Sequence, residues 1–507
     1  MALSPPPHVL FRADGNSRIG LGHLTRCQAL AELLTRAGWR CALATREPPG
    51  RTWFSIYLDA NNFTSLRIAA VLPIPADLPL ADEPAWLLQQ GSQVLVLDGY
   101  GFDVAYQQRC WQSGRGLVVF DDFARSGTCA DVVINAAGGL DAAHYAGLVG
   151  PGTRLCLGPG YALLRENFWQ VQQRAQRPPN TDRLFLCLGG ADPGHHTLPL
   201  MQELAARFPA KHLSVVTGAA YPHRAALAAA AAALPNVRLH HNLGASQLAE
   251  LLRRCGVLVC PPSGLAYECG AVGGLLLLVQ TADNQQLMYD YLTNAGLALP
   301  YAALAALPPA EWPAQAAALR QRQRVVFSEP VAWLRFFGLF RELLEIYALG
   351  LRRATAANAL TYFGWANDPA VRATAVQPAR IDWPTHRAWF ERRLADPDSY
   401  LYLFSWQNQL TGQVRIQFEG NIGTISYSLD KAWRGKRLGR PVLRRALAEL
   451  RRQRPGAWTL RGLIRTDNLA SQRVFEGLGF VLLGHETHGA ATFNRFELAA
   501  PALPAFT

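Results

Sequence analysis

The segment Phe11–Leu33, FRADGNSRIGLGHLTRCQALAEL, sets a histidine where a glycine loop hands over to a helix. The apolar run HVLF before it reads as a strand, and Gly15, Gly20 and Gly22 follow before His23. A helix N-terminus carries unpaired backbone N–H groups and about half a positive charge. Glycines let a ligand approach that backbone closely. Strand, glycine loop and helix therefore make an anion site, commonly for phosphate. The spacing is not the GxGxxG of the dinucleotide fingerprint. His23 adds a group that titrates where a general base is useful. A capping or core histidine has the same local sequence, so the reading rests on what the rest of the chain supplies.

Further stretches put polar groups at strand ends. LDGYGF carries Asp98 and Tyr100, and LGGADP carries Gly189 and Gly190. PPSGLAYECG places Ser263 and Gly264 at a strand-to-helix turn, with Glu268 one helical turn on. QTADNQQ sets Asn284, Gln285 and Gln286 after a buried strand. Near the C-terminus, ISYSLDKAWRGKRLGRPVLRRALAEL reads as a strand, a basic glycine turn and a helix, the densest basic cluster in the chain.

These groups need a scaffold. At 507 residues the chain suggests about three domains. Half the residues are hydrophobic and 17% are charged, which places the chain among globular proteins. No apolar run is long enough for a membrane span, and the N-terminus MALSPPPHVL lacks the pattern of a secretory signal. Nine cysteines without a CxxC pair read as reduced, mostly buried thiols, consistent with a cytoplasmic protein and no metal site.

Up to about residue 347 the pattern alternates Val/Leu-rich strands with helices, as in an α/β fold with parallel sheets covered on both faces. The expected strands are HVLF, VLVLDGY, LVVFDDF and DVVINAA, then RLFLCLGG, LSVVTGAA, VRLHHNL, GVLVCPP and GLLLLVQT. The polar, proline-containing segment Arg174–Arg183 reads as a hinge, which divides this part into halves at 1–175 and 176–347. Glu329–Tyr347 is apolar at helical spacing and reads as a buried helix that closes the α/β part. From 350 to 507 the pattern becomes α+β, with turns at Asn408 and Gly420–Asn421.

Two Rossmann-like halves with these motifs resemble the GT-B architecture. Taken together and in order, RADGNSRIGLGHLTRCQALA, LDGYG, GPGYALLRENF, LGGADP, SGLAYE and ADNQQ resemble the UDP-sugar hydrolases of the pseudaminic acid pathway. The resemblance spans roughly residues 8 to 347 and implies cleavage of UDP-2,4-diacetamido-2,4,6-trideoxy-β-L-altropyranose. It implies that His23 activates water, with Tyr100 and Asn284 as the other catalytic positions. It further implies a UDP-sugar site at Asp14, Gly20, Gly22, Gly189, Gly190, Ser263, Gly264, Glu268 and Gln285, with Glu268 on the ribose hydroxyls. One departure is Ala266, where the family pattern has threonine. UDP is a weakly basic leaving group, so a general acid is not essential, and backbone N–H groups can hold the developing charge.

The basic turn resembles motif A of the GNAT N-acetyltransferases. Arg434, Gly435, Lys436, Arg437, Leu438 and Gly439 stand in its positions, with Arg437 where a glycine is usual. NLASQRVFEGLGF resembles the element that lines the coenzyme arm, with Asn468 and Ser471 in place and Phe475 where many relatives carry an acidic tyrosine. The resemblance implies acetyl-CoA as co-substrate, held by these residues, with Tyr427, Ser428 and Leu429 on a splayed antiparallel strand polarising the thioester. It accounts for the basic cluster without nucleic acid, leaving Arg451, Arg452 and Arg454 as a solvated helix face.

The fold expectation is α/β: two doubly wound, GT-B-like halves followed by an α+β GNAT domain. The functional expectation is a bifunctional enzyme of small UDP-amino-sugars, with neither nucleic acid nor membrane as partner. It would acetylate the 4-amino group and then release UDP. The alternatives are a GT-B glycosyltransferase, or an idle sugar-nucleotide binder, fused to an acetyltransferase.

Overall fold

A computed structural model describes residues 8–16, 19–46, 68–111, 115–150, 153–174, 178–327 and 331–500. Residues 1–7, and Ala175–Arg177 of the expected hinge, lie outside the described residues.

The first sheet comprises β1 (His8–Ala13), β2 (Arg40–Thr45), β3 (Ile68–Pro73), β4 (Val94–Asp98), β5 (Gly116–Phe120), β6 (Val132–Asn135) and β7 (Arg154–Leu157). Its order is β3-β2-β1-β4-β5-β6-β7, parallel throughout. The second comprises β8 (Arg183–Leu186), β9 (His212–Thr217), β10 (Val237–His241), β11 (Val257–Cys260), β12 (Leu275–Leu278) and β13 (Leu299–Pro300). Its order is β10-β9-β8-β11-β12-β13, again parallel. In both, the order reverses beside the first strand, as in doubly wound folds.

The continuous apolar runs are explained by cover on both faces. Val9, Phe11, Val94 and Val96 enter one core of the first sheet, while Leu10, Leu95 and Leu97 enter the other. In the second sheet Phe185 and Leu258 face one core, and Leu184, Leu186, Val257 and Val259 the opposite one.

The packing units are not contiguous segments, because two helices cross over. Phe168, Trp169 and Val171 of the helix Glu166–Arg174 join a core of the second sheet. Phe336, Leu339, Phe340, Leu343, Ile346 and Tyr347 of the helix Val331–Tyr347 return to a core of the first. All nine cysteines are buried and free.

The third sheet comprises β14 (Gly350–Arg353), β15 (Ser399–Trp406), β16 (Gln409–Glu419), β17 (Ile422–Leu429), β18 (Trp458–Arg465), β19 (Val481–His488) and β20 (Ala491–Ala500). Its order is β14-β15-β16-β17-β18-β20-β19. Gln407 and Asn408, at φ 47° and 65°, form the two-residue turn that joins β15 to β16. Tyr402, Phe404 and Val414 pack in the core with the helix Gly439–Gln453, and Leu401 and Leu403 pack in the core with the helices Ala359–Ala366 and Trp383–Ala395.

Two expectations need correction here. The strands that splay, β17 and β18, are parallel rather than antiparallel, because the helix Gly439–Gln453 connects them as a crossover. Arg451 is not on a solvated face. It is 4% exposed, and Arg444 and Arg445 of the same helix are buried as well. These arginines face the first unit. Arg444 donates to Glu342 Oε1 at 2.8 Å and to the Asp131 carbonyl at 3.2 Å, while Glu342 Oε2 accepts from Arg154 at 2.6 Å. Arg452 and Arg454 pair instead with Glu449 and Asp398. No helix of the described residues is long and apolar enough to cross a membrane.

Candidate functional site

In doubly wound sheets the ligand crevice lies at the carboxyl ends of the strands where the order reverses. In the first sheet that place is between β1 and β4, the strands that lead into the loop before His23 and into Asp98–Gly101. In the second it is between β8 and β11, which lead into Gly189–Gly190 and Ser263–Gly264. The two places meet where a Cβ added to Gly190 would lie 3.2 Å from Leu21 side-chain atoms. Within the second unit, a Cβ added to Gly218 would lie 2.5 Å from Gly190 Cα, an approach that only glycine permits.

His23 is the second residue of the helix Gly22–Arg36, whose N-terminus has no side-chain cap. Its Nδ1 lies 2.7 Å from Asp98 Oδ1. A carboxylate only accepts, so Nδ1 carries a proton, and in the neutral ring Nε2 is then the nitrogen with the free lone pair. Asp98 is fully buried. Burial alone would push its carboxyl up; Arg26 and then His23 overcome this and hold it well below the usual carboxylate range. Arg26, one turn after His23, reaches Asp98 through Nη2 at 2.6 Å and Nε at 2.8 Å, and Asp122 through Nη1 at 2.7 Å.

Tyr100 stands over His23 edge to face, with ring centroids 4.8 Å apart. Its hydroxyl donates to Asp122 Oδ2 at 3.1 Å and accepts from Asn284 Nδ2 at 2.6 Å. That second bond crosses from one parallel-sheet unit to the other. Partial burial, and then the Asp122 charge, push the Tyr100 hydroxyl well above its ordinary value, so it is neutral at physiological pH. Its side chain is nonetheless open to the crevice, the residue being 53% exposed.

The remaining sequence-derived positions fall into three groups. Ser263 caps the helix Gly264–Val272 by accepting from Leu265 N–H, and Gly264 opens that helix without steric restriction. Gly20 closes a small turn with Asn16, Gly22 starts the helix of His23, and Gly189 adopts positive φ beside Gly190.

Asp14, Gln285 and Glu268 are committed to protein partners. Asp14 binds Arg12, Thr45 and the Arg46 N–H, and Gln285 folds back on Thr281. Glu268, 4% exposed, makes a bidentate pair with Arg165 at 2.6 and 2.7 Å. Ala266 is fully buried in the core.

The sequence reading did not single out Arg26 and Asp122. Their signals were an arginine one helical turn after His23, and the acidic pair that ends LVVFDDF at a parallel strand's carboxyl end. A cavity of ≈ 330 Å³ opens near the crossing helices, but none of its lining residues belongs to this constellation.

A second site lies in the third sheet. β17 and β18 share rungs only from Ile422↔Thr459 to Thr424↔Arg461, after which β18 continues on β20 alone. The Asp430 N–H donates to Thr411 across the β16 ladder. By alternation the N–H groups of Tyr427 and Leu429 point the other way, into the opening.

Beyond β17, Gly435 and Arg437 adopt φ of 75° and 60°, so Arg437 holds the left-handed turn that glycine usually supplies at roughly 1–2 kcal/mol. Arg434 braces the turn by binding the Leu429 carbonyl and Asp368. Lys436 and Arg437 are exposed. After Leu438 the helix begins at Gly439, where an added Cβ would stand 3.3 Å from Tyr427 Oη and Val474. Ser471 faces Tyr427 Oη at 3.1 Å, and Asn468 caps its helix. Ser428 is buried and accepts from Gln413. A diphosphate fits the exposed cations and uncapped helix start, and a thioester carbonyl fits the outward N–H groups.

Comparison with known proteins separates the chain in the same way. A family model described as the acetyltransferase (GNAT) domain matches residues 348–481. Over 297 residues the chain is 25% identical to the UDP-2,4-diacetamido-2,4,6-trideoxy-beta-L-altropyranose hydrolase of Campylobacter jejuni, covering 58% of this chain and 98% of that protein. Over 205 residues it is 21% identical to an uncharacterized protein of Methanocaldococcus jannaschii, covering 39% of this chain and 42% of that one.

Similar solved structures include a putative acetyltransferase from Salmonella typhimurium with acetyl-CoA, at 22% identity, 31% and 96% coverage and a TM-score of 0.27. Another is spermidine N-acetyltransferase from Vibrio cholerae with CoA and spermine, at 14% identity, 30% and 95% coverage and a TM-score of 0.27. The chain is a fusion whose N-terminal region is homologous to the UDP-2,4-diacetamido-2,4,6-trideoxy-beta-L-altropyranose hydrolase and whose C-terminal region carries a GNAT acetyltransferase domain.

Proposed function

We propose that the chain is a bifunctional enzyme of pseudaminic acid biosynthesis. Its C-terminal domain acetylates the 4-amino group of a UDP-4-amino-4,6-dideoxy-N-acetyl-altrosamine with acetyl-CoA. Its GT-B-like N-terminal part hydrolyses the resulting UDP-2,4-diacetamido sugar to free sugar and UDP. The observation that carries the hydrolytic reading is the His23–Asp98 pair, with Tyr100 above it and Asn284 bonded to Tyr100 from the opposite unit.

His23 Nε2 takes a proton from water as the water attacks C1 of the sugar. Asp98 keeps the opposite nitrogen protonated and stabilises the imidazolium that forms. Neutral Tyr100 and Asn284 position the sugar through hydrogen bonds. The leaving UDP needs no proton, and N–H groups at the start of the helix Gly264–Val272 and at Gly189–Gly190 hold its developing charge. In the acetyltransferase, Lys436, Arg437 and the helix start hold the pyrophosphate of acetyl-CoA. The Tyr427 and Leu429 N–H groups polarise the thioester while the neutral amine attacks. CoA leaves as the thiolate and takes up the proton that the attacking nitrogen gives up.

The test supplies the purified chain with the UDP-4-amino-sugar, with and without acetyl-CoA, and follows CoA and UDP. CoA release followed by UDP release, with no acceptor sugar added, is the expected result. UDP release that requires an acceptor would make the N-terminal part a glycosyltransferase. No UDP release under any condition would leave it a binder.

A further inference from the structure

β16 carries Thr411, Gln413 and Arg415 on one face, since alternate residues of a strand share a side. In register, Gln413 lies opposite Ser428 and Arg415 opposite Ser426 of β17. Ser426 stands two residues past the last rung that β17 shares with β18, where the acetyl-transfer opening begins. Trp389 identifies the face: the Arg415 guanidinium sits over its ring at 5.3 Å, so this is the side covered by the helix Trp383–Ala395.

Arg415 is oddly placed for a structural residue. Its Nε donates to Ser426 Oγ at 3.1 Å, and no carboxylate of the described residues pairs with it. The charged or titratable groups that act on it are Tyr362 and a second cation, Arg372, while His386 of the covering helix feels its field in turn. Burial, and then Arg372, hold the Arg415 guanidinium below its ordinary value.

The polar groups around it are also incompletely matched. Gln413 is 2% exposed, and its Oε1 has no hydrogen-bond partner among the described residues. The same holds for Thr411 Oγ1, for His386 Nε2 and for Arg372 Nε. Arg415 and Arg372 are both half-buried, and Arg372 Nη1 donates to the Gln377 and Ala379 carbonyls, so both guanidinium groups stay open to a ligand and neither has a counter-ion among the described residues. The buried polar atoms without partners ask for an explanation as well.

We propose that Arg415, with Arg372 and the Ser426 hydroxyl, binds an oxyanion of the acetyl acceptor, namely the diphosphate of a nucleotide-linked amino sugar. The proposal rests on the acetyltransferase reading given above and adds the group that selects a nucleotide-linked amine over a free one. Arg415 is a binding residue: it supplies no proton and forms no bond to the reacting carbonyl. The guanidinium matches the planar fork that phosphate oxygens accept.

The experiment follows CoA release at fixed acetyl-CoA for two acceptors, the UDP-linked amino sugar and the same amino sugar without nucleotide. The wild-type chain and Arg415→Gln, each also carrying His23→Asn to stop UDP release, are compared. Arg415→Gln should raise KM for the UDP-linked acceptor about ten- to a hundredfold, the range of a hydrogen bond to a charged group. KM for the nucleotide-free acceptor and for acetyl-CoA should stay within about twofold, and Arg415→Lys should recover part of the loss.

In the wild-type chain UDP and inorganic pyrophosphate should inhibit competitively against the nucleotide-free amine and not against acetyl-CoA. This arm needs no variant, so it decides even if Arg415→Gln fails to fold. Equal losses for both acceptors, or competition only against acetyl-CoA, would overturn the proposal. If no nucleotide sugar is acetylated while UDP still competes with a simple amine through Arg415, the anion site stands and the assigned reaction falls.

Discussion

Asp98 is the residue whose replacement best separates catalysis from scaffolding, and its geometry predicts unequal effects for two substitutions. Oδ1 accepts from both His23 Nδ1 and Arg26 Nη2, whereas Oδ2 accepts from Arg26 Nε at 2.8 Å. In Asp98→Asn the new NH2 must replace one oxygen. At Oδ1 it would oppose two N–H donors; at Oδ2 it opposes one N–H donor and the Cys27 thiol at 3.7 Å, a weak donor whose sulfur can turn to accept instead. The second orientation wins and keeps an acceptor on His23 Nδ1, so the imidazole keeps its tautomer.

What asparagine loses is the charge that stabilises the imidazolium. A hydrogen bond to a charged group exceeds a neutral one by roughly 1–1.5 kcal/mol, which is about tenfold in kcat. Asp98→Ala leaves His23 without an acceptor and should cost about 10²–10⁴-fold, as much as removing the base with His23→Ala. Because the two residues act as one unit, the double variant should be no slower than His23→Ala alone. The assay is the initial rate of UDP release, on variants shown by titration to bind UDP normally. Wild-type kcat in Asp98→Ala, or losses that multiply in the double variant, would refute the pair as the catalytic unit.

Three other outcomes follow from the geometry. Removing one partner of the buried Glu268–Arg165 pair should destabilise the N-terminal part by about 3–5 kcal/mol in thermal unfolding. UDP titration then decides the ribose role, which survives only if Glu268→Ala loses affinity that Arg165→Ala keeps. Asp98, held low by Arg26 and His23 against burial, contributes stability that is fully present above the unfolded carboxylate value near ~3.9. That contribution is lost as pH falls below this value and on through the lower folded one. Arg26→Met removes the main cause of the lowering, so thermal scans from pH 6 to pH 3 should show a larger acid loss in the wild type than in that variant. At Gly439 any larger side chain meets Tyr427 and Val474, so Gly439→Leu should abolish acetyl transfer while UDP release from an acetylated sugar persists.

How far the sequence could be read depends on the kind of signal. Val/Leu runs bounded by glycine mark buried parallel strands, so β4, β5, β11 and β12 were legible. β2, with the sequence RCALAT, and β14, an exposed edge strand, were not, because alanine, cysteine and arginine carry little strand preference. His23, Tyr100 and Asn284 were legible as motif positions, but their meeting was not: it depends on a 2.6 Å bond between residues 184 apart. Glu268 shows the converse. Its spacing after Ser263–Gly264 suggested a ligand contact, and only the fold reveals that Arg165, 103 residues earlier, occupies both oxygens. Long-range charge pairing has no local signature.

The same blindness governs how the acetyltransferase domain relates to the rest. Among the described residues its two cores draw only on residues from Leu349 onward, and no apolar cluster is shared with the preceding units. The contact is instead polar: Arg444 on Glu342 and Asp131, Arg445 over the Tyr347 ring at 4.7 Å, and Glu342 bound also by Arg154. Arginines returned to water regain hydration, so residues 350–507 expressed alone should fold and bind acetyl-CoA. The cost of separation falls on the other side. Asp131, whose carboxylate accepts from Tyr347 at 2.6 Å and from the Leu117 N–H, lies at the exposed seam once the arginines leave, and Glu342 loses Arg440 and Arg444, two of its three arginine partners. A fragment ending at Tyr347 should therefore melt below the full chain, whereas 350–507 should melt near the temperature of its own transition in the full chain. Calorimetry of the three proteins decides it. An unfolded 350–507 would show that the arginine seam is part of that domain's folding unit, and an unchanged N-terminal fragment would show that the seam is only a surface contact.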